Sequence, residues 1–433
     1  MKAVIMAGGK GTRIASITND EIPKPMLTVG GVPILEHQIR CLKENGFFDV
    51  VMVIGHLGAI IKDYFGDGSR FDVNIKYIEE SDNNPLGTAG SLYYLKNEIH
   101  DDFVLVFGDV FFDVDLKRMI NYHKEHEALV TLLTHPNSHP YDSDLIIVGD
   151  GDKVVGFDSK EKDRNGRDYQ NIVNSGIYVL APEVLDSVNE PEKRSLEKDV
   201  ILKYIDKGLV FSYHSTEYVK DMGTPERYSA VNKDFERRIP RARNLENKQK
   251  CIFLDRDGTI NKYCGLLKDK KDLQLMDGVA DAIRMINDSE YLCIVVTNQP
   301  IVARGELSVE GLRDVHNHLE TMLGKKGAYI DGLYYCPHHP DRGYEGEVTE
   351  LKINCECRKP RIGMVKKAEE KYNIDLTASY MVGDSWRDIE MGKNAGLQTV
   401  LLSCGEPVSA EHQVKPDMQA NNLFEAVNLI MKG

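Results

Sequence analysis

Short apolar runs alternate with helix-patterned stretches along nearly the whole chain, and this alternation confines it to an α/β architecture built on mainly parallel sheets. Ala3–Met6, Val50–Ile54, Phe103–Phe107, Val173–Leu180, Cys251–Leu254, Leu292–Val296, Tyr380–Val382 and Thr399–Leu402 read as strands. Between them, Leu35, Ile39 and Leu42 recur at helical spacing before a stop at Gly46. Val365, Ala368, Glu369 and Tyr372 do the same over Gly363–Asn373. Ligands of open parallel sheets collect at the carboxyl ends of strands, so the residues just after each run are where chemistry is expected.

The rhythm breaks over 236–250, a polar, basic stretch containing Pro240, which reads as a solvated linker between a domain at 1–235 and another at 251–433. A length of 433 residues accommodates that division. Lys plus Arg number 54 against 68 Asp plus Glu, a net charge of −14. Such a chain is repelled by nucleic acid and by anionic membrane surfaces, so neither is an expected partner. The apolar stretch before Gly8-Gly9 is too short for a signal-peptide core, and no apolar run has transmembrane length; the cytoplasm is the expected compartment. An oligomer is compatible with all of this. Cys41, Cys251, Cys264, Cys293 and Cys404 sit singly and read as buried, inert thiols. Cys336, Cys355 and Cys357 fall together, which in a reducing compartment points to a metal.

Gly8-Gly9-Lys10-Gly11-Thr12-Arg13 follows the first strand directly. Glycines there let the backbone approach phosphate oxygens and free its N–H groups for an anion. The loop lacks the Walker ending and the dinucleotide glycine pattern, and by itself a tight strand-to-helix turn explains it nearly as well. Pro23-Lys24-Pro25 fixes the backbone around Lys24, whose ammonium, with the Arg13 guanidinium, suits a triphosphate as its charge shifts to leaving pyrophosphate. The run Phe103–Phe107 ends in Gly108-Asp109. A carboxylate at the end of a buried strand is costly unless paired or metal-bound, so Asp109 is a candidate Mg²⁺ ligand. Asp221, in Lys220-Asp221-Met222-Gly223-Thr224-Pro225, is either a second such carboxylate or a turn or helix-cap residue.

With Pro85-Leu86-Gly87-Thr88-Ala89-Gly90 and Asn174-Ser175-Gly176-Ile177-Tyr178, these motifs resemble the sugar-1-phosphate nucleotidyltransferases over nearly all of residues 1–235. The resemblance implies a Rossmann-like domain with a mixed, mostly parallel sheet. It implies triphosphate on Gly8, Gly9, Gly11 and Thr12, nucleobase against Gly87 and Thr88, sugar near Asn174, Gly176 and Glu197, and Mg²⁺ shared by Asp109 and Asp221. The family often has Glu-Lys after Gly-Phe; here Gly156-Phe157 is followed by Asp158-Ser159-Lys160, and Lys160 is the expected sugar-phosphate contact. The implied reaction is in-line attack of a sugar 1-phosphate oxygen on the α-phosphorus of a nucleoside triphosphate. The nucleophile is already anionic, so catalysis is alignment and charge neutralisation.

In the second half, Phe253-Leu254-Asp255-Arg256-Asp257-Gly258-Thr259 ends a strand with two carboxylates that suit a nucleophile, Asp255, and a proton donor, Asp257. Thr297-Asn298-Gln299, Lys359 in Arg358-Lys359-Pro360, and Gly383-Asp384-Ser385-Trp386-Arg387-Asp388 follow in order. Thr297 and Asn298 would hold phosphate and Lys359 would balance its charge. Asp384 would complete Mg²⁺ coordination with Asp255 and Asp257, and Asp388 would support that set. This ordered set resembles the haloacid dehalogenase superfamily over 250–432. Cys336, His338, Cys355 and Cys357 make a four-ligand set suited to a structural zinc, with His339 open as an alternative ligand. The Cys-x-His-His-Pro…Cys-x-Cys-Arg-Lys-Pro arrangement resembles the heptose 1,7-bisphosphate phosphatases and their relatives, the histidinol phosphatases; there Arg358 and Lys359 would read the phosphates, and Arg304 the substrate side.

The two resemblances fit one another. Removing the 7-phosphate of a heptose 1,7-bisphosphate leaves a heptose 1-phosphate, the substrate class of the first half. Together they imply a bifunctional enzyme that makes a nucleotide-activated heptose, GDP-D-glycero-α-D-manno-heptose, from small-molecule substrates; guanine rests on a likeness to heptose guanylyltransferases. The alternatives are a transferase for another sugar 1-phosphate, such as an amino sugar with UTP, beside a histidinol-phosphate-like or other phosphatase, or a chain in which one half is an inactive binding module.

Overall fold

The apolar runs named above all form strands, because each is covered on both faces. In the Ala3–Ala7 strand, Ala3, Ile5 and Ala7 enter one core cluster while Val4 enters another. In Lys250–Leu254, Ile252 and Leu254 pack on one side, Cys251 and Phe253 on the other. Burying an apolar side chain stabilises by about 1.5–3 kcal/mol, so a doubly covered strand favours apolar residues on both faces and reads as a near-continuous run. The computed structural model describes residues 1–81, 85–160, 164, 166–403 and 414–432.

Two compact units divide the chain. The first comprises Met1–His135, Asp144–Asp158 and Ile172–Asn244. Its nine-stranded sheet runs Val154–Asp158, Leu145–Val148, Val173–Leu180, Phe103–Phe107, Ala3–Ala7, Asp49–Ile54, Asn74–Glu79, with Val130–His135 also beside Val173–Leu180 and Val210–His214 beyond it. Ala3–Ala7 pairs in parallel with both Asp49–Ile54 and Phe103–Phe107, whereas Val173–Leu180 runs antiparallel to Phe103–Phe107. The chain thus steps from Ala3–Ala7 to one side, then returns to its other side at Phe103–Phe107. The loops on either side of that reversal diverge and leave a crevice at the strand ends. Helix Ile34–Glu44 buries Leu35, Ile39 and Leu42 on this sheet and stops before Gly46, whose φ of 91° ends the turn.

The second unit comprises Pro136–Ser143, Ser159–Asn171 and Leu245–Gly433. Its six-stranded sheet runs Gly332–Cys336, Tyr291–Asn298, Lys250–Leu254, Tyr380–Gly383, Gln398–Leu402, Met418–Ala420, with every pair parallel. Here the reversal lies between Lys250–Leu254 and Tyr380–Gly383. The two excursions from the first half of the sequence pack on helix Val309–Gly324. Asp168 accepts from Lys270 at 2.6 Å and His318 at 2.8 Å, and the Asn171 N–H donates to Glu320 at 2.6 Å. Burial pushes the Glu320 carboxyl up to about 7. These excursions are short and polar, so no periodicity announced them.

The 236–250 segment differs from the expected solvated linker. Helix Pro225–Glu236 runs into it, Ile239–Ala242 is helical, and Ile239, Pro240, Arg243, Asn244, Leu245 and Gln249 are buried. Pro240 lies in the first turn of its helix, where a missing N–H costs nothing. Asn244 donates to Asp113 at 2.6 Å, and Asn373 donates to the Leu245 carbonyl at 2.9 Å. Cys264 is exposed, contrary to its reading as a buried thiol, because it lies in irregular chain beside the exposed Tyr263 and not in a covered strand. Cys41, Cys251 and Cys293 are buried, and Cys404 lies outside the described residues. Among the described residues, no helix is long and apolar enough to cross a membrane.

Candidate active sites

In the first unit a cleft of ≈ 430 Å³ opens at the end of Ala3–Ala7. It is lined by Gly8, Gly9, Gly11, Thr12 and Arg13 together with Lys24, Gly87, Thr88, Asp109 and Gly223. Lys24, 6% exposed, donates to Asp109 Oδ2 at 2.6 Å. The Gly108-Asp109 turn is held from behind by Gln38, which is fully buried and donates to the carbonyls of Phe107 (3.0 Å) and Val110 (2.6 Å). The Met222 N–H donates to the Asp109 carbonyl at 3.1 Å, which ties the Asp221 turn to the Asp109 turn. Asp221 receives Arg227 Nη1 on both oxygens at 3.0 Å and the Gly223 N–H at 2.9 Å. Burial raises its carboxyl, but Arg227, the Gly223 amide and Lys24 outweigh burial and hold it below the ordinary carboxylate range. Thr224, not Asp221, caps helix Pro225–Glu236, so the cap reading of Asp221 is not needed. The Arg13 guanidinium lies against Gly223, 3.3 Å from where a Cβ would stand.

The Gly87–Thr88 segment is clamped against the turn that carries Glu197. Gly87 has a φ of 73°, and a Cβ there would stand 2.5 Å from the Arg194 carbonyl. Thr88 Oγ1 accepts the Leu196 N–H at 2.8 Å. Asn174, Gly176 and Glu197 are brought together: Asn174 donates to Glu197 at 3.3 Å and accepts the Gly176 N–H at 3.2 Å. Tyr178 joins them, donating to Glu197 at 2.6 Å. Lys160 belongs to the second unit, with its ammonium 4.0 Å from Asp142. The cleft also takes in Gly55, His56, Glu80 and Ser81, which the motif reading missed. Gly55 and His56 directly follow a strand already read as one. Glu80 and Ser81 follow Asn74–Glu79, a half-exposed strand whose mixed composition hid it.

In the second unit Asp255 and Asp384 stand at the ends of the two strands that flank the reversal, and the Asp255 N–H donates to the Val382 carbonyl at 3.0 Å. Lys359, buried, lies 2.8 Å from Asp255 and 2.6 Å from Asp388, and donates to the Val296 carbonyl at 2.9 Å. Asn298 grips the Lys359 backbone, accepting its N–H at 3.0 Å and donating to its carbonyl at 3.2 Å. Asp388 also accepts from the Ser385 hydroxyl and N–H, so both its oxygens are engaged in support. Burial pushes Asp255 up to about 7 against the pull of Lys359, and burial with Asp388 pushes Asp384 up to about 6.

Asp257 differs from expectation as a metal ligand. Its carboxylate accepts from Arg256 (2.8 and 2.9 Å), Gln299 (2.8 Å) and Asn261 (3.0 Å), and the side-chain cluster able to hold a cation is Asp255, Asp384 and Asp388. These donors hold its carboxyl below the ordinary range despite burial. Three neighbouring carboxylates face the single ammonium of Lys359, an imbalance that a divalent cation fits. Thr297 Oγ1 accepts from Gln299, which thereby links the phosphate-side hydroxyl to Asp257. Gly258 has a φ of 80°, and a Cβ there would stand 1.9 Å from Asp384 Oδ2. Gly258→Ala is therefore expected to displace Asp384 and to lower phosphate release about 100-fold or more, read as initial rate on the folded variant.

Cys336, His338, Cys355 and Cys357 converge, with donor atoms all within 4.8 Å of one another. Cys336 Sγ is 3.5 Å from Cys355 Sγ, and His338 Nδ1 is 3.2 Å from Cys357 Sγ. These are close to the edges of a tetrahedron whose centre lies about 2.1–2.3 Å from each donor. His339 stands apart, its Nδ1 accepting the Asp341 N–H at 3.2 Å. Arg358 donates to the His338 carbonyl at 3.3 Å, coupling the cluster to the phosphate-side cations. Arg304 stacks on Tyr344, 4.4 Å from the ring centre.

Residues 2–238 match the nucleotidyl transferase family and residues 356–426 match the HAD-hydrolase-like family. The D-glycero-beta-D-manno-heptose-1,7-bisphosphate 7-phosphatase of Yersinia pestis is 41% identical over 175 residues, 40% of this chain and 91% of that protein. The protein of the same name from Escherichia coli (strain K12) is 37% identical over 182 residues, 42% of this chain and 93% of that protein. Among solved structures, HddC from Yersinia pseudotuberculosis complexed with GMP-PN aligns over 54% of this chain and 99% of its own, at 26% identity and a TM-score of 0.47.

Proposed function

Because the chain belongs to the nucleotidyl transferase family over residues 2–238 and, through its second half, to the D-glycero-beta-D-manno-heptose-1,7-bisphosphate 7-phosphatases, we propose a bifunctional enzyme of heptose activation. The second unit removes the 7-phosphate of a heptose 1,7-bisphosphate. The first then transfers a nucleotidyl group, GMP from GTP, to the resulting heptose 1-phosphate and releases pyrophosphate. The observation that carries this reading is the Asp255–Lys359–Asp388 assembly, complete in a segment 41% identical to a phosphatase of that name and joined to a sugar-nucleotide cleft. A product with a free 1-phosphate is what such a cleft consumes; histidinol offers none.

Asp255 attacks the 7-phosphorus, the bond to the C7 oxygen breaks, and an aspartyl-phosphate forms. Asp257 acts in its protonated form, giving that proton to the leaving alkoxide; the carboxylate so formed, which Arg256, Asn261 and Gln299 stabilise, then takes a proton from the water that hydrolyses the acyl phosphate. Arg256, Asn261 and Gln299 fix the direction in which Asp257 points. Lys359 balances the phosphoryl charge, and a Mg²⁺ held by Asp255 and Asp384 would screen the rest. In the first unit, the Gly8–Arg13 backbone and Lys24 align the triphosphate, and Asn174, Gly176 and Glu197 hold the sugar; Lys160, counted in the second unit, is given no contact in this reading. Mg²⁺ commonly takes one or two carboxylates with substrate phosphates completing its shell, a role that Asp109 and Asp221 suit.

The direct test supplies Mg²⁺, each anomer of heptose 1,7-bisphosphate and each nucleoside triphosphate. Release of phosphate followed by a nucleotide-heptose is expected; neither product from any combination overturns the reading. Zinc is the metal proposed for the Cys336–His338–Cys355–Cys357 cluster, closed to substrate by four protein ligands. Cys355→Ser is expected to release one zinc per chain, measured by metal analysis, and to lower the thermal midpoint of the second unit by on the order of 5 °C or more.

A further inference from the structure

Helix Val309–Gly324 buries an apolar stripe made of Leu312, Val315, Leu319 and Leu323. His316 falls in that stripe, one turn from Leu312 and from Leu319, and is only 6% exposed. No motif includes it. An imidazole in an apolar stripe is unfavourable unless it finds a polar partner. Its partner is Arg256, between the two carboxylates of the Asp255-Arg256-Asp257 turn: Nη1 stands 3.1 Å from His316 Nε2. The ring also packs against Tyr335 of strand Gly332–Cys336, 5.5 Å between centres. A guanidinium only donates, so the Nε2 lone pair accepts and the proton of the neutral ring is on Nδ1. Burial, with the Arg256 charge beside it, pushes His316 down to about 3, so near neutral pH it remains an uncharged acceptor.

Arg256 is itself 1% exposed, and its guanidinium is divided between two partners. Nε and Nη2 donate to Asp257 at 2.8 to 3.1 Å, and Nη1 donates to His316. The choice of partner for Nη1 matters. A leucine there would leave a buried N–H without an acceptor, and the guanidinium would turn to find one. A carboxylate there would compete with Asp257 for the positive charge. A neutral imidazole satisfies Nη1 and leaves the charge to Asp257. A proton donor works only within hydrogen-bond reach of the leaving oxygen, and a misplacement of about 1 Å can cost on the order of 100-fold. Gln299 at 2.8 Å and Asn261 at 3.0 Å also hold Asp257, so losing the His316 contact should cost part of the donor's effect rather than all of it.

We infer that His316 is a positioning residue of the phosphatase reaction: as a buried neutral acceptor it locks the Arg256 guanidinium, which in turn keeps Asp257 aimed at the leaving oxygen. The inference rests on the reading of Asp257 as proton donor and adds the group, on a helix remote in sequence, that keeps the donor in place.

The experiment measures phosphate release from heptose 1,7-bisphosphate by the full chain, for wild type, His316→Leu, His316→Gln, Asp257→Asn and the double variant His316→Leu with Asp257→Asn. Thermal melting establishes that each is folded at the assay temperature. In His316→Leu, kcat is expected to fall about 10- to 100-fold with KM changed less than about 3-fold. His316→Gln, whose amide oxygen can accept from Nη1, should recover most of that loss. In the Asp257→Asn background the leucine substitution should cost less than about 3-fold, because its effect passes through a donor already removed. A wild-type kcat in His316→Leu, equal losses in the leucine and glutamine variants, or an undiminished further loss in the double variant overturns the inference. If His316→Leu does not fold, His316→Met, of similar length with only a weak acceptor, takes its place under the same expectations. If Asp257→Asn releases phosphate at the wild-type rate, the proton-donor reading itself fails, and that result is distinct from any of the His316 outcomes.

Discussion

Asp255→Asn is expected to release phosphate from heptose 1,7-bisphosphate at a rate about 10⁴-fold below wild type, while still converting supplied heptose 1-phosphate to nucleotide-heptose. The size of the loss follows from the role. An amide cannot displace the C7 oxygen to form an acyl phosphate, and removing a nucleophile costs more than removing any group that only stabilises charge. The substitution keeps the shape of a side chain buried beside Lys359 at 2.8 Å, so the fold should tolerate it. Phosphate release is read by a coupled assay and transfer by pyrophosphate. If Asp255→Asn keeps substantial phosphatase activity, another group is the nucleophile. If it loses both activities in folded protein, the two sites are not independent.

The converse variant is Asp109→Asn. Transfer is expected to fall on the order of 10³-fold, with phosphate release from the bisphosphate retained. Asp109 supplies the negative charge that pairs with Lys24 at 2.6 Å, and its carboxylate would hold a Mg²⁺ that neutralises phosphate charge. An amide keeps a hydrogen-bond acceptor for Lys24 but loses the charge. A variant that transfers at the wild-type rate would remove Asp109 from the reaction and leave the pairing with Lys24 as purely structural.

Much of both units was legible because buried parallel strands need apolar side chains on both faces. The runs from Ala3–Met6 to Thr399–Leu402 are strands for that reason, and Asp109, Asp255 and Asp384 sit where such runs stop. Strands that are half exposed or short did not announce themselves: Asn74–Glu79 alternates Asn, Lys and Glu with Ile and Tyr, and its end brings Glu80 into the cleft. Gln38 was hidden differently. It lies on the buried face of a helix otherwise read from Leu35, Ile39 and Leu42, and its service to the Asp109 turn is visible only once the Phe107 and Val110 carbonyls stand opposite it. The 236–250 segment misled because composition weighs charge, whereas Arg side chains bury their stems and a proline in a first helical turn initiates rather than breaks.

By itself, then, the amino-acid sequence determined the α/β class, two unrelated sets of motifs and the chemical types of their ligands, because these follow from local period and from residue identity. Only the tertiary structure decided which groups face one another. Asp257 is taken by Arg256, Gln299 and Asn261 while Asp388 stands with Asp255 and Asp384; His338 rather than His339 joins the three cysteines; and two excursions of the first half are counted in the second unit. These depend on side-chain direction and on contacts between distant segments, which hydrophobic period does not encode. The reversal of strand order in each sheet is of the same kind: it opens a crevice at the strand ends where Asp109 in one unit and Asp255 and Asp384 in the other stand.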